Sequence, residues 1–236
     1  MEDYTRKNVI ISENRDVAVR SFMSKAYGWM TAALIMTGIT AHYVANNPAI
    51  YKWIFSSTFT FIGIIVLQFA LVIAISSLVD RASAPVLMLM FIIYSISLGV
   101  LLSSIFLVYT RETLTQVFFI CAGMFAATSA FGLLTKKDLS GLGRFMFMGL
   151  IGIIIASIAN IFLKSPAIYW ITSYIGVFVF AGLTAADTQK LKNMALSLES
   201  ANSEFEVKLS IVGALILYLD FINLFIFLLR IFGSRD

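Results

Sequence analysis

Two acidic residues, Asp187 and Asp220, stand in the most apolar part of the chain. Asp220 has no other charge near it between Lys208 and Arg230, and Asp187 stands close to the end of the preceding apolar stretch. A carboxylate inside a bilayer is costly unless it is paired, hydrated or protonated. If the two carboxylates meet at low dielectric, their charges repel and they compete for one proton. The pair would then be a proton-sensitive switch.

Three polar side chains could support such a pair. Asn223 follows Asp220 by three residues and shares its helix face, whereas Thr188 and Gln189 follow Asp187 directly. Their oxygens could hydrogen-bond a carboxylate or coordinate a cation. Because two carboxylates bind a hard divalent ion only weakly, Asp187 and Asp220 could form at most a weak, transient cation site.

The depths of the two acids leave an alternative open for Asp187. At a rise of 1.5 Å per residue, Asp220 lies roughly 16 Å inward from Leu209. Asp187 would lie close to the membrane face unless its helix continues through Met194 or the seventh span starts later. An interfacial residue at a helix end is therefore the alternative for Asp187, and contact between the two acids is a prediction.

Arg81 is the candidate cationic partner of the pair. It follows Asp80 in a short loop between two apolar stretches. A guanidinium keeps its charge at every relevant pH and binds carboxylates in a fork, so it could hold the ionised pair and release it on protonation. Pairing with Asp80, with a role only in topology, is the alternative.

The composition excludes a soluble globular domain. Of the 236 residues, 60% are hydrophobic and 13% are charged, whereas soluble domains are nearer half apolar and a quarter charged. One cysteine and one histidine rule out an internal disulfide and make a zinc site a poor fit. The net charge of +4 comes from loops flanking the membrane and gives no reason to expect nucleic acid.

The spacing of charges predicts an all-α, polytopic membrane protein with seven spans. Each uncharged or Asp-bearing run is long enough for the roughly 20 residues that cross a hydrocarbon core of about 30 Å. The predicted spans lie near 26–45, 58–79, 84–109, 113–134, 145–163, 167–188 and 209–232. They make up a transmembrane domain over residues 25–233, after a polar segment at 1–24 that has no features of a removable signal peptide.

Basic residues predict the orientation. With a cytoplasmic N-terminus, twelve of the seventeen Lys and Arg residues fall on the inner side, which the positive-inside rule favours. Those twelve are Arg6, Lys7, Arg15, Arg20, Lys25, Arg81, Lys136, Lys137, Arg144, Lys190, Lys192 and Lys208. Seven spans would then place the C-terminus outside.

Several intramembrane features have more than one interpretation. The segment from Lys190 to Lys208 could be a short interfacial helix or a solvated linker. Gln68 and Asn160 could line a path, although helix–helix hydrogen bonds are the more frequent explanation for such groups. Small residues four apart, such as Gly152 with Ala156 and Gly182 with Ala186, predict close packing of the fifth and sixth spans. Cys121 is expected to be packed and inert.

Two motifs carry a family resemblance. The stretch Phe180-Ala-Gly-Leu-Thr-Ala-Ala-Asp-Thr-Gln-Lys-Leu191 and the run Leu217-Tyr-Leu-Asp-Phe-Ile-Asn-Leu-Phe225 resemble the Bax inhibitor-1 family, in particular its bacterial branch. The likeness covers nearly the whole chain, and the second motif is highly specific.

The resemblance implies a fold and a function. The fold is a seven-helix bundle with the last helix central. The function is a pH-sensitive calcium leak across a membrane, here the bacterial inner membrane, governed by Asp187 and Asp220 with Arg81 as the latch. The resemblance implies no enzymatic activity and no cofactor, and the expected partners are the lipid bilayer and the calcium ion.

Two other functions are compatible with paired intramembrane acids. The resemblance also allows a non-transporting regulator that binds other membrane proteins, such as a membrane protease in bacteria or cell-death factors in eukaryotes. An intramembrane aspartyl protease could use the pair to activate water. Such enzymes carry a Gly-x-Gly-Asp signature, whereas this chain has Tyr218-Leu-Asp220.

Overall fold

Helices make up most of the part of the chain that the structure describes. The computed structural model describes residues 2–198 and 203–233, and their side chains from residue 16 onward. Within these ranges there are nine helices and no strand. They are α1 (Glu2–Ala45), α2 (Pro48–Ser56), α3 (Thr58–Ser77), α4 (Ala84–Leu102), α5 (Ile105–Val108), α6 (Arg111–Leu134), α7 (Ser140–Leu163), α8 (Pro166–Ser197) and α9 (Ser203–Phe232).

Six helical segments within the described residues are long and apolar enough to cross a bilayer. They are Thr58–Ser77, Ala84–Val108, Arg111–Leu134, Ser140–Leu163, Pro166–Ser197 and Ser203–Phe232. Each of these segments overlaps one of the last six predicted spans. The first predicted span, 26–45, is the C-terminal part of α1 and is not among the six. Seven spans are therefore not confirmed, and neither is the central position of the last helix.

The helices extend beyond several predicted limits. The polar segment at 1–24 is helical from Glu2 and continues into the first predicted span without a break. The segment after Lys190 is neither a separate interfacial helix nor only a linker, because α8 continues to Ser197 and α9 begins at Ser203. Residues 199–202 of that connection lie outside the described residues.

The chain forms two compact units. The first comprises residues 1–102 and 191–215, and the second comprises residues 103–190 and 216–236. In the first unit, the Thr37 hydroxyl of α1 donates to the Ser95 carbonyl of α4 at 2.9 Å. The Gln68 amide of α3 donates to the Ser97 hydroxyl of α4 at 2.6 Å. Gln68 therefore links α3 to α4. Such hydrogen bonds stabilise helix packing in a bilayer, because lipid supplies no hydrophobic driving force for helices to associate.

Aromatic packing joins α6 to α9 in the second unit. Phe221 of α9 lies edge-on against Phe118 and Phe125 of α6, with ring centroids 5.6 and 5.5 Å apart. The Cys121 thiol between them donates to the Phe221 carbonyl at 3.6 Å and is fully buried. The expectation of a packed thiol is confirmed. These interactions fix the turn of α9 that begins just after Asp220.

Small residues bring α6 and α7 close to α8. Gly132 of α6 lies directly against the backbone of Ala185, so that any added Cβ would collide with it. Gly182 faces Met146 of α7, with the nearest side-chain atom 2.8 Å from where a Cβ would stand. The predicted close packing is confirmed for α8. The prediction is wrong for Gly152 of α7. This glycine is exposed, and a Cβ added to it would have no other atom within 4 Å.

Candidate functional site

The two acids lie on neighbouring faces of α8 and α9. Phe180 of α8 stacks on Phe227 of α9 with ring centroids 5.7 Å apart. Asp187 follows Phe180 by seven residues and Asp220 precedes Phe227 by seven. Seven residues are almost two helical turns, so each acid lies on the same face as its phenylalanine. Because only residues 198–202 separate the helices, they run antiparallel, and the stacked rings set Asp187 level with Asp220.

Both carboxyl groups line a single cavity in the second unit. The cavity has a volume of about 820 Å³ and is bounded by α7, α8 and α9. Asp187, Asp220 and Asn223 contribute polar groups to its wall. The carboxyls of Asp187 and Asp220 are close enough for an electrostatic interaction. The contact predicted from the sequence thus has a shared cavity that can accommodate it.

Asp220 is the more deeply buried of the two acids. Its side chain is only 5% exposed, and its Oδ2 atom has no hydrogen-bond partner among the described residues. Asp187 is half-buried and interacts electrostatically with Lys190, one turn further along α8. An unpartnered carboxyl oxygen in the interior is costly, so the site favours a proton or a cation at Asp220.

Asn223 offers an oxygen beside Asp220. Its Nδ2 donates to the Leu219 carbonyl one turn earlier at 2.8 Å, within α9. The amide nitrogen is thereby used in the helix, and Oδ1 remains as an acceptor in a side chain that lines the cavity. The predicted neighbourhood of Asp220 and Asn223 follows directly from their spacing on one helix.

Asp187 is not at the end of its helix. Because α8 continues to Ser197, ten residues or roughly 15 Å of helix follow Asp187. A helix can continue beyond the membrane face, so the length of α8 does not fix the depth of Asp187 and the interfacial alternative stays open. One condition for contact between the acids was that the helix continue through Met194, and α8 does so.

Thr188 and Gln189 are directed to other partners. The Thr188 hydroxyl, which is fully buried, shares a 2.9 Å hydrogen bond with Ser129 of α6. The Gln189 Oε1 accepts from the Leu139 N–H at 2.7 Å, and its Nε2 donates to the Lys137 carbonyl at 2.9 Å. Neither residue lines the cavity. On a helix, residues one and two positions after Asp187 point away from its face, and their polar groups hold α8 to its neighbours.

Arg81 lies in the exposed turn between α3 and α4, in the first unit. Lys208 of α9 donates to the Ala82 carbonyl of that turn at 3.2 Å, and the Ala84 N–H donates to Glu204 at 3.4 Å. These hydrogen bonds anchor the turn to the start of α9. The latch role of Arg81 stays a prediction.

No cluster of three or more His, Cys, Asp or Glu residues that could hold a metal ion is found in the described ranges. Asp187 and Asp220 are a pair of carboxylates and not such a cluster. Such a pair fits a passing cation better than a resident one, since stable calcium sites use six to eight oxygens.

Comparison with known proteins identifies the family. The family model described as "Inhibitor of apoptosis-promoting Bax1" matches residues 19–236. The chain belongs to the Bax inhibitor-1 family. It is 47% identical to "Inner membrane protein YbhL" of Escherichia coli K12, over the full length of both chains.

Further relatives of this Bax inhibitor-1 family chain come from distant bacteria. A Rickettsia prowazekii protein, "Uncharacterized protein RP147", is 41% identical over 100% of this chain and 99% of its own length. A Borreliella burgdorferi protein is 38% identical over 96% of this chain and 97% of its own. Together with the six apolar helices, these matches show a multi-pass integral membrane protein.

Two residues at the far end of the same cavity, Arg230 and Tyr169, were not predicted from the sequence. Both line its wall, and the Arg230 guanidinium lies over the rings of Tyr169 and Phe227, 5.7 and 5.0 Å from their centroids. Cation–π interactions of this kind hold a cation in place without a carboxylate. The sequence contained one signal for this contact. Arg230 follows Phe227 by three residues, and residues three apart are neighbours on one face of a helix.

Proposed function

We propose that this Bax inhibitor-1 family protein is a pH-sensitive calcium leak channel of the bacterial inner membrane, in which Asp187 and Asp220 form the proton-sensitive pair. The observation that carries the proposal is that both carboxyls line one cavity inside the membrane-spanning part of the chain. A path for a cation needs such a water-accessible or polar space, because hydrocarbon does not solvate charge.

The dependence on pH would come first from the burial of the two carboxyls and then from their mutual repulsion. Two carboxylates beside one cavity, with apolar walls, are costly to ionise together, so the charge of the pair changes with proton concentration. The other charged or titratable groups near the pair are Lys190 beside Asp187, and Arg230 and Tyr169 at the far end of the cavity. We assign the response to pH to Asp187 and Asp220, because they are the carboxyl groups that line the cavity.

Calcium is the ion that best suits these donors. The cavity offers carboxylate oxygens from Asp187 and Asp220 and the amide oxygen of Asn223. Hard divalent cations prefer such oxygen ligands, and a set this small gives weak binding that allows release. A strong site would trap the ion and stop its passage.

The proposal includes an orientation. With seven spans, counting 26–45, the N-terminus is cytoplasmic and the C-terminus is outside. Asp187 and Asp220 would then be reached from the cytoplasmic side, and Arg230 would lie towards the outer face. Among the six candidate spans, α9 has the largest buried share, which supports a central position for the last helix.

The test is calcium flux in vesicles reconstituted with the purified full chain. Wild-type protein should release trapped calcium at a rate that changes across the tested pH range. In Asp220→Asn, which keeps the side-chain size but removes the titrating group, the rate should no longer depend on pH. Asp187→Asn should weaken the dependence on pH without abolishing it, because Asp220 loses the repulsion of its neighbour but stays buried.

The matched control is Asp138→Asn. Asp138 is an exposed acid of the same unit that precedes α7 and accepts hydrogen bonds from Ser140. These bonds hold the pKa of the Asp138 carboxyl below its usual value, so it stays ionised across the tested range. Its replacement should leave the profile unchanged, and a pH profile retained in Asp220→Asn would reject the pair as the sensor.

A further inference from the structure

The outer half of the cavity has the composition of a lipid site. Apart from Arg230 and a few polar groups, its wall is built from isoleucine, leucine and phenylalanine side chains. Three isoleucines of α7 that line the cavity are also strongly exposed: Ile154 at 49%, Ile158 at 54% and Ile161 at 69%. A lining residue that is also exposed stands at the mouth, so the cavity opens along α7 toward the surrounding bilayer.

Arg230 is a cation at one end of this apolar space, and it has no acidic counterpart among the described residues. None of the described residues places a carboxylate within ion-pair distance of it, and its guanidinium lies against the aromatic rings of Tyr169 and Phe227. Stacking on the rings leaves the N–H edge of a guanidinium available for hydrogen bonds. Such an edge matches a phosphate in a fork geometry.

Asn160 adds a second donor at the same end. Its Oδ1 accepts from the Ser165 N–H at 2.8 Å, where α7 ends. This bond orients the amide, and Nδ2 has no partner among the described residues. Since Asn160 and Arg230 line one cavity, an anion at this end would meet both a charged and a neutral donor.

The length of the cavity fits one leaflet. Arg230 follows Asp220 by ten residues of α9, which is about 15 Å of helix. A hydrocarbon core is about 30 Å thick, so one acyl chain crosses about 15 Å before reaching the midplane. A chain whose headgroup lies at Arg230 would therefore end near the level of the acid pair. The volume of about 820 Å³ is also in the range of sites that hold molecules of this size.

We propose that this cavity binds an anionic phospholipid, with its phosphate on Arg230 and Asn160 and one acyl chain along the isoleucines of α7. The charge of Arg230 selects the occupant, because a neutral apolar molecule would leave the guanidinium without an anion. The inference does not rest on the calcium leak, since it concerns the other end of the cavity and a different ligand.

The test is lipid binding measured by native mass spectrometry on the full chain, purified in a neutral detergent at constant pH. The probes are phosphatidylglycerol, phosphatidylcholine and glycerol 3-phosphate. Wild-type protein should retain one phosphatidylglycerol in preference to phosphatidylcholine. Arg230→Gln should lower the affinity for phosphatidylglycerol about tenfold, the loss expected for a charge-assisted hydrogen bond. Arg230→Lys should give an intermediate value, because it keeps the charge and loses the fork.

Arg111→Gln is the matched control. Arg111 is an exposed arginine at the start of α6, in the same unit and on the same predicted side of the membrane. Its replacement should leave phosphatidylglycerol binding unchanged. An equal loss in both variants would mean that the lipid is held by general surface charge, and would overturn the proposal.

A second variant tests the acyl chain separately from the charge. Ile158→Trp adds bulk at the mouth of the cavity and keeps Arg230, so it should weaken phosphatidylglycerol binding and leave the charge unaltered. Should Arg230→Gln fail to fold, this variant and Arg230→Lys carry the test. Binding of glycerol 3-phosphate as tight as that of the lipid, or full lipid binding by Ile158→Trp, would show that the acyl chain does not occupy the cavity. Because no step measures calcium flux, the result is independent of the leak.

Discussion

Burial separates the roles of the polar residues around the two acids. Asp220 and Gln189 are both nearly inaccessible to solvent. In Gln189, the side-chain oxygen and the side-chain nitrogen are both hydrogen-bonded to backbone groups. The Gln189 side chain is thus part of the structure, whereas the Asp220 carboxyl has an oxygen left over. An unpartnered carboxyl oxygen in the interior is costly, and a proton or a cation would offset that cost. The position of Gln189 in the sequence predicted that it supports the acid pair, whereas its hydrogen bonds lead to the backbone of Leu139 and Lys137.

Gln189→Ala should destabilise the protein without altering the charge of the cavity. It leaves the buried Leu139 N–H and the Lys137 carbonyl unpaired, and each such loss costs about 1–3 kcal/mol. The melting temperature in detergent should fall. Gln116→Ala, which removes an exposed glutamine from α6, should change stability by less than about 0.5 kcal/mol. Equal melting of the two variants would contradict the structural role of Gln189.

Among the helices, α8 shows how packing sets the position of a site residue. Its close approach to α6 at Gly132 and Ala185 lies two residues before Asp187. No side chain can be accommodated there, because the atoms that face Gly132 belong to the backbone of Ala185, which cannot rotate away. The position of Asp187 in the cavity therefore depends on a glycine on another helix.

Gly132→Ala and Gly123→Ala should shift stability in opposite directions. Both glycines are on α6, but Gly123 has no atom within 4 Å of a Cβ position. At Gly123 an alanine should be neutral or stabilising by up to about 1 kcal/mol, because of its higher helix propensity. At Gly132 the added methyl group forces α6 away from α8, with a cost of about 1–3 kcal/mol. Thermal unfolding in detergent measures both, and a Gly132→Ala variant as stable as wild type would show that the close approach can relax.

The number of membrane crossings is decided by the whole chain. Six helices satisfy the length and composition of a span, and the C-terminal part of α1 is the predicted seventh. That segment contains Thr31, Thr37, Thr40 and His42, which make it less apolar than the others. Thr37 nevertheless bonds to its own helix and to α4. Polar groups satisfied in this way can be placed inside a bilayer.

An odd number of spans predicts that the two ends lie on opposite sides of the membrane. A green fluorescent protein fused before residue 1 should fluoresce in bacterial cells, because the N-terminus is predicted to be cytoplasmic. Alkaline phosphatase, which needs the oxidising periplasm, should be active when fused after Gly233 and inactive when fused within the loop at 135–139. An inactive fusion after Gly233 would mean that 26–45 does not cross.

The sequence by itself determined what depends on local composition. Charge spacing located the six apolar helices closely, because the energy of burying charge in hydrocarbon acts on each segment separately. The motifs around Asp187 and Asp220 identified the family, and the three-residue spacing of Asp220 and Asn223 was enough to place them side by side.

The tertiary structure alone decided which polar groups face which partner. Thr188 and Gln189 are next to Asp187 in sequence, yet their hydrogen bonds lead to α6 and the loop at 135–139. Arg230 is ten residues from Asp220, yet both line one cavity. A helix turns each successive residue by about 100°, so partners are chosen by the elements packed on each face. Those elements come from distant parts of the chain, where no local pattern records which groups they meet.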